Sequence, residues 1–343
     1  VILAYAKLAL YDAILESPVP DDPYLAGELM RYMPRPLRER FPDAVAGHRL
    51  RREIIATQLA NAIVNRGGPT IITRLADETG ADAATIAAAY AAVRDSYGLI
   101  ELNAGIDALD ERIGHSADAI NAAMQLDLYA GLQDLLIDGL SWFIRNADFH
   151  AEGIQKIVAR YRRGIAAVEA ALPAALPQDV SEALDARSTG LAEAGIPAAL
   201  ARRLAALSEL GAAPDIVRIS QANDRDAGEV AAIHFAVENG FRLRELAAAA
   251  RALPVTDYYD RLALGRALGG IASAHRRLTT AVVATGTPAG DAAAAREAVR
   301  LWAEARGGEV ERIRSTVESI AASGLTLSRL TVAAGLIGDL VKS

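Results

Sequence analysis

Three features of the sequence predict an all-α fold. Of the 343 residues, 52% are apolar but only 5% aromatic, and 74 are alanine, which helices favour and strands disfavour. Apolar residues recur three and four apart over most of the chain, and no alternating strand pattern of five or more residues is found. The prolines fall between these periodic stretches. Together they specify a multi-helix bundle with long antiparallel helices in its C-terminal part and no Rossmann domain.

Taken in order, Leu3, Lys7, Leu10 and Ile14 lie along an amphipathic first helix, with Lys7 as a snorkelling surface residue. The opening Val1-Ile2-Leu3-Ala4-Tyr5 has neither an initiator methionine nor a basic signal segment, so the numbering is expected to begin inside a longer polypeptide. Between 17 and 43 lie Pro18, Pro20, Pro23, Pro34, Pro36 and Pro42, which break the chain into short helices and turns. Asp22 before Pro23 caps a helix over 24–33. A longer helix over 44–65 stops at Arg66-Gly67-Gly68-Pro69, where glycine permits a left-handed cap and proline forbids continuation. Helices over 70–79 and 82–97 around Gly80 mimic a helix-turn-helix.

Downstream, Ile120, Met124, Leu128, Leu132, Leu136, Leu140 and Phe143 stripe a helix over 118–145. A second long helix over 151–172 ends before Pro173, and Pro177, Pro197 and Pro214 delimit shorter ones. Over 256–284, Leu264, Ile271 and Leu278 recur at heptad spacing with Ala267, Ala274 and Ala281 between them, large against small, which implies close helix approach. Val310, Ile313, Val317 and Ile320, then Leu327, Leu330, Ala334, Ile337 and Val341, complete the bundle. Two subdomains are expected: 1–113, compact, with the Pro-rich entry and the hairpin, and 114–343, the long-helix bundle.

The composition excludes much chemistry. With no cysteine there is no disulfide framework, thiolate nucleophile or zinc ribbon, and a reducing cytoplasm fits. No apolar run reaches membrane-spanning length. No G-x-G and no phosphate-loop motif occurs, so no site residue for NAD or a nucleotide is assigned. His48, His115, His150, His234 and His275 never share the spacing that puts two metal ligands on one helical face. His275 precedes Arg276 and Arg277 and could orient an anion, but a solvated or core-edge histidine beside a basic surface is the favoured reading. Of 36 basic residues only Lys7, Lys156 and Lys342 are lysine, which leaves almost no candidate for a titratable catalytic amine.

One charge anomaly stands out. In a chain of net charge -7, residues 31–74 hold nine arginines against Glu39, Asp43 and Glu53. Arg35, Arg38, Arg40, Arg49, Arg51, Arg52 and Arg66 are the candidate interface residues, because guanidinium groups match carboxylates and those three acids can neutralise only some of them. A rival reading is a nucleic-acid-binding regulator built on block 31–74 and hairpin 70–97. Against it, the second hairpin helix offers Asp82 and Thr85 among alanines, where a recognition helix presents Arg, Lys, Asn or Gln to base edges.

Five segments carry a resemblance. They are Leu3-Ala4-Tyr5-Ala6-Lys7-Leu8-Ala9-Leu10-Tyr11-Asp12 leading to Pro20-Asp21-Asp22-Pro23-Tyr24-Leu25, Pro36-Leu37-Arg38-Glu39-Arg40-Phe41, His48-Arg49-Leu50-Arg51-Arg52-Glu53-Ile54-Ile55-Ala56-Thr57 and Val64-Asn65-Arg66-Gly67-Gly68-Pro69-Thr70. The chain resembles the carboxy-terminal helical region of the large bacterial NAD-dependent glutamate dehydrogenases, closely over 1 to about 145 and by helical pattern beyond. The resemblance implies a parent enzyme that deaminates L-glutamate oxidatively to 2-oxoglutarate and ammonium, passing hydride to NAD. In that family the catalytic and nucleotide-binding residues lie upstream, so none is carried onto this sequence. It further implies a non-catalytic assembly or regulatory segment that binds no cofactor itself, whose partners are the upstream catalytic region and other subunits of a homo-oligomer, with neither nucleic acid nor membrane.

Overall fold

The computed structural model of the chain describes residues 1–109, 120, 122–255 and 257–340. Among them every regular element is helical, so the fold is all-α. The contacts divide the chain into two compact units that interleave in sequence: Val1–Arg163 with Ser188–Gly211, and Gly164–Arg187 with Ala212–Ser343. The expected boundary at 113/114 lies outside the described residues.

The first unit is built on Ile2–Leu15 against Arg51–Gly67, and on Ala83–Tyr97 against Ala122–Asn146. Ala83–Tyr97 starts because Asp82 accepts a 2.7 Å hydrogen bond from the Thr85 N–H, relieving one of the unpaired donors of a helix start. It ends because Gly98 adopts φ 65°, ψ 41°, a left-handed cap. Between these ends, Ile86 to Arg94 is buried without interruption. Of the predicted stripe on the long helix, Leu128, Leu132, Leu136, Leu140 and Phe143 are all buried; its expected start at 118 and 119 lies outside the described residues. Trp142, Phe143 and Tyr161 meet edge to face at centroid distances of 4.9 to 5.3 Å, a geometry that aligns ring edges with ring faces.

The second unit is centred on Ala227–Gly240, which packs on Ala292–Glu304 and on Tyr258–Val283; the latter also packs on Leu327–Asp339. Asp257 caps Tyr258–Val283 through the Asp260 N–H at 2.8 Å, and Asp291 caps Ala292–Glu304 through two N–H groups at 2.9 Å. The heptad face is buried at Ala267, Ile271, Ala274 and Leu278.

Several expectations need correction. The helix expected over 44–65 is two, Pro42–Ala46 and Arg51–Gly67, because the Gly47 N–H closes the first on Asp43 and the chain turns at His48, whose ring accepts the Leu50 N–H at 3.2 Å. The helix over 24–33 is a 3-10 turn, Pro23–Leu25, followed by Ala26–Tyr32. Gly68 does not form a left-handed cap; at φ 88°, ψ 168° it occupies a region open essentially to glycine alone. Ile154–Ala175 runs through Pro173, since so near a helix end one missing donor is tolerated and the Leu176 N–H still reaches the Leu172 carbonyl at 3.0 Å. Tyr258–Val283 and Leu327–Asp339 run in the same direction, not antiparallel: Gly270 faces Ala334, and the Arg277 guanidinium reaches Gly338.

Helix contact is closest where glycine admits it. A Cβ on Gly164 would lie 2.4 Å from Val217 Cγ2 and 2.7 Å from Cγ1. Gly164→Ala is therefore expected to overpack the second unit and cost about 1–3 kcal/mol, measured as a lowered urea midpoint. Adding Val217→Ala should restore part of the loss; if the double variant is no better than the sum of the singles, the contact is not the cause.

Candidate contact surface

The arginines of the anomalous block separate into two groups. Arg51 and Arg52 both bind Asp21, Arg51 at 2.8 Å, and Arg52 also donates to the Leu15 and Ser17 carbonyls at 2.8 and 3.2 Å. These two hold the end of Ile2–Leu15 against Arg51–Gly67. Arg66 lies 4.0 Å from Asp107 and 5.7 Å from the centre of the Tyr129 ring. Asp21, outside the block, thus supplies the pairing that Asp43 and Glu53 were expected to supply; among the described residues neither of those two pairs with the block.

Of the other four candidates, Arg35, Arg38 and Arg40 lie on Arg35–Arg40, and Arg49 lies in the turn between Pro42–Ala46 and Arg51–Gly67. Arg35 pairs with Glu39 at 2.6 Å, one turn on and exposed, a contact of little net energy. Arg38 donates to the Met30 carbonyl at 3.2 Å, and Arg40 lies over the Phe41 ring at 5.5 Å. Arg49 has no carboxylate partner among the described residues. Arg35–Arg40 buries none of its own residues, and Tyr32, Leu37, Phe41 and Leu50 are 54%, 46%, 50% and 48% exposed. Leu37 lies among the arginines of Arg35–Arg40 and Phe41 directly follows them, and exposed arginine and aromatic side chains are enriched at protein interfaces.

A buried ionic cluster fixes Ala26–Tyr32, the helix that precedes Arg35–Arg40 in the chain. Arg94, 5% exposed, donates to Glu28 at 2.5 Å and forks onto both oxygens of Asp95 at 2.7 Å each; Tyr24 donates its hydroxyl to Asp95 at 2.8 Å, and Arg31 also reaches Glu28. The cluster pins Ala26–Tyr32 to Ala83–Tyr97. Burial opposes the charge on Asp95, yet the Arg94 hydrogen bonds and charge and the Tyr24 hydroxyl outweigh it and hold the carboxyl below its ordinary range. Burial, then the hydrogen bond to Asp95, raises the Tyr24 phenol. Burial likewise opposes the charge on Arg94, and its two carboxylates more than restore it. The sequence concealed this cluster because Glu28 and Arg94 are 66 residues apart.

The same burial counts against the second helix of the hairpin as a recognition helix. A helix whose residues Ile86 to Arg94 are all enclosed has no face to lay in a groove. No group of three metal-ligating residues occurs among the described residues, and no helix is long and apolar enough to cross a membrane.

Residues 1–339 match the family described as glutamate dehydrogenase, C-terminal, and the chain belongs to that family. It is 33% identical to the NAD-specific glutamate dehydrogenase of Pseudomonas aeruginosa over 344 residues, covering 100% of this chain and 21% of that protein. It is 31% identical to the NAD-specific glutamate dehydrogenase of Halomonas elongata, over 93% of this chain and 19% of that protein. To the Mycobacterium tuberculosis enzyme of the same name it is 28% identical, over 100% of this chain and 20% of that protein. The chain thus spans about a fifth of the length of these relatives, which are oxidoreductases.

Removing Arg94 would leave the largely buried Asp95 without its guanidinium partner and Glu28 with Arg31 alone. Arg94→Met is expected to cost about 3–5 kcal/mol, whereas Glu39→Gln, which breaks only the exposed Arg35 pair, should cost under about 1 kcal/mol. Because Asp95 is held below its unfolded value near 3.9, its contribution is complete above that pH and is lost as pH falls through the folded value. Acid titration of unfolding should show Asp95→Asn losing part of the wild-type slope below pH 4; an identical slope would place the acid sensitivity elsewhere.

Proposed function

We propose that this chain is the C-terminal portion of an NAD-specific glutamate dehydrogenase, which oxidises L-glutamate to 2-oxoglutarate and ammonium with NAD as hydride acceptor. Within it, the chain is a non-catalytic assembly or regulatory segment that contacts the preceding catalytic region of the same polypeptide in a cytoplasmic homo-oligomer. The observation that carries the contact is the Arg35–Arg40 helix, which buries nothing of its own while Leu37 and Phe41 stand half exposed beside Arg38 and Arg40. An apolar surface of that size in water is offset by covering it, and guanidiniums at its rim favour an acidic counterpart. Arg51 and Arg52 belong to the scaffold beneath this surface.

Individual rim charges are weak, so the effect should emerge when several are changed together. Arg38, Arg40 and Arg49 to Glu, combined with Phe41→Ser in the intact polypeptide, are expected to shift the assembled mass measured by light scattering and to lower glutamate-dependent NADH formation. Wild-type mass together with wild-type turnover would end the contact reading.

The chain alone is further expected to bind no NAD, since it has no glycine-rich turn to bring a backbone against the pyrophosphate. Calorimetry of residues 1–343 with NAD should give no saturable heat; micromolar affinity would overturn the non-catalytic assignment.

A further inference from the structure

The second unit holds two histidines that its sequence neighbours do not explain. His234, on Ala227–Gly240, and His275, on Tyr258–Val283, are both buried, and their rings stack at a centroid distance of 3.8 Å with 24° between planes. His275 Nε2 lies 3.0 Å from the His234 carbonyl oxygen. A carbonyl only accepts, so Nε2 carries the proton, and in the neutral ring Nδ1 is bare. Thr279, fully buried, places its hydroxyl 3.4 Å from His234 Nδ1, and the Phe235 ring stands edge-on to His234 at 5.6 Å. The contact that closes this helix pair is thus built for two uncharged imidazoles.

The surroundings offer little to a charged one. Asp215 faces the pair from Ala213–Asn223 but binds Arg276 at 3.3 Å, and Arg244 on Leu243–Arg251 binds Glu238 at 2.6 Å. Ala292–Glu304, which packs on Ala227–Gly240, and Leu327–Asp339, which packs on Tyr258–Val283, bury no charged residue. A proton on either ring would put a cation against the face of its neighbour, with Arg244 and Arg276 adding repulsion.

We propose that the His234–His275 stack is an acid-released latch: it closes the second unit while both rings are neutral, and a proton taken from solvent by either ring opens the contact between Ala227–Gly240 and Tyr258–Val283 while the first unit stays folded. Burial lowers both imidazoles, His275 to about 4 and His234 well below its ordinary value. The sign follows from linkage. Above about pH 6.5 open and closed forms both carry neutral rings and the latch is at full strength. As pH falls below about 6.5 the open form gains protons that the closed form refuses, so the open population rises up to about tenfold per pH unit for each histidine, until the closed form itself titrates.

Hydrogen exchange of the whole chain at pH 7.5, 6.5 and 5.5, corrected for intrinsic rates, tests this. Amides of 230–237 and 271–283 are expected to lose about thirtyfold protection between pH 6.5 and 5.5, about fivefold from each histidine, while those of 86–94 and 132–143 keep theirs. His275→Gln retains an N–H donor for the His234 carbonyl but does not titrate, and should reduce the pH dependence in the second unit to that of one histidine. If that variant does not fold, imidazole NMR on the unaltered chain decides: both rings should remain neutral in the closed form at pH 5.5. Unchanged protection in the second unit at pH 5.5, or either ring titrating near 6.5 in the closed form, would overturn the latch.

Discussion

Close approach of helix backbones is the constraint on which both units rest. A chain with 74 alanines and 5% aromatic residues cannot fill wide gaps between helices with large rings. It must bring helices near enough for short side chains to touch, since an interior gap forfeits dispersion contacts. In the first unit this appears as the unbroken burial of Ile86 to Arg94 and as Gly139, where a Cβ would fall 2.9 Å from Val93. In the second unit it appears as Ala267 and Ala274 beside Ile271 and Leu278, and as Gly164 against Val217. A helix packed in this way is sensitive to added volume, which is why so many of its positions remain small.

Charge is arranged around that core by reach more than by sequence proximity. Local pairs such as Arg35–Glu39 and Arg300–Glu297 lie on exposed helix faces and contribute little. The pairs that hold elements together join distant segments: Arg52 to Asp21, and Arg94 to Glu28. Once Asp21 has taken Arg51 and Arg52, the arginine excess of residues 31–74 is concentrated on the Arg35–Arg40 side. There, with Phe41 and Leu37, it forms a surface and not merely a basic stretch of sequence.

The two units therefore present different physical problems. The first buries ions and satisfies them, leaving an apolar and cationic surface on a helix with no core of its own. The second buries two titratable rings and satisfies them only while they are neutral.

The sequence by itself determined that the chain is helical, where most long helices run, and the family to which it belongs. Periodicity, Asp caps and glycine stops are local signals, and each acts within a few residues of where it is read. Leu128 to Phe143 and the face from Ala267 to Leu278 were legible for that reason. Tertiary structure alone decided that Pro173 is passed, that Tyr258–Val283 and Leu327–Asp339 run in parallel, and that compact units interleave along the chain. It also decided that Asp21 captures Arg51 and Arg52, that Arg94 meets Glu28, and that His275 turns inward to stack on His234. These depend on which distant residues a folded backbone brings within hydrogen-bond reach, and a pattern of three and four records which face of a helix is buried but not what lies opposite it.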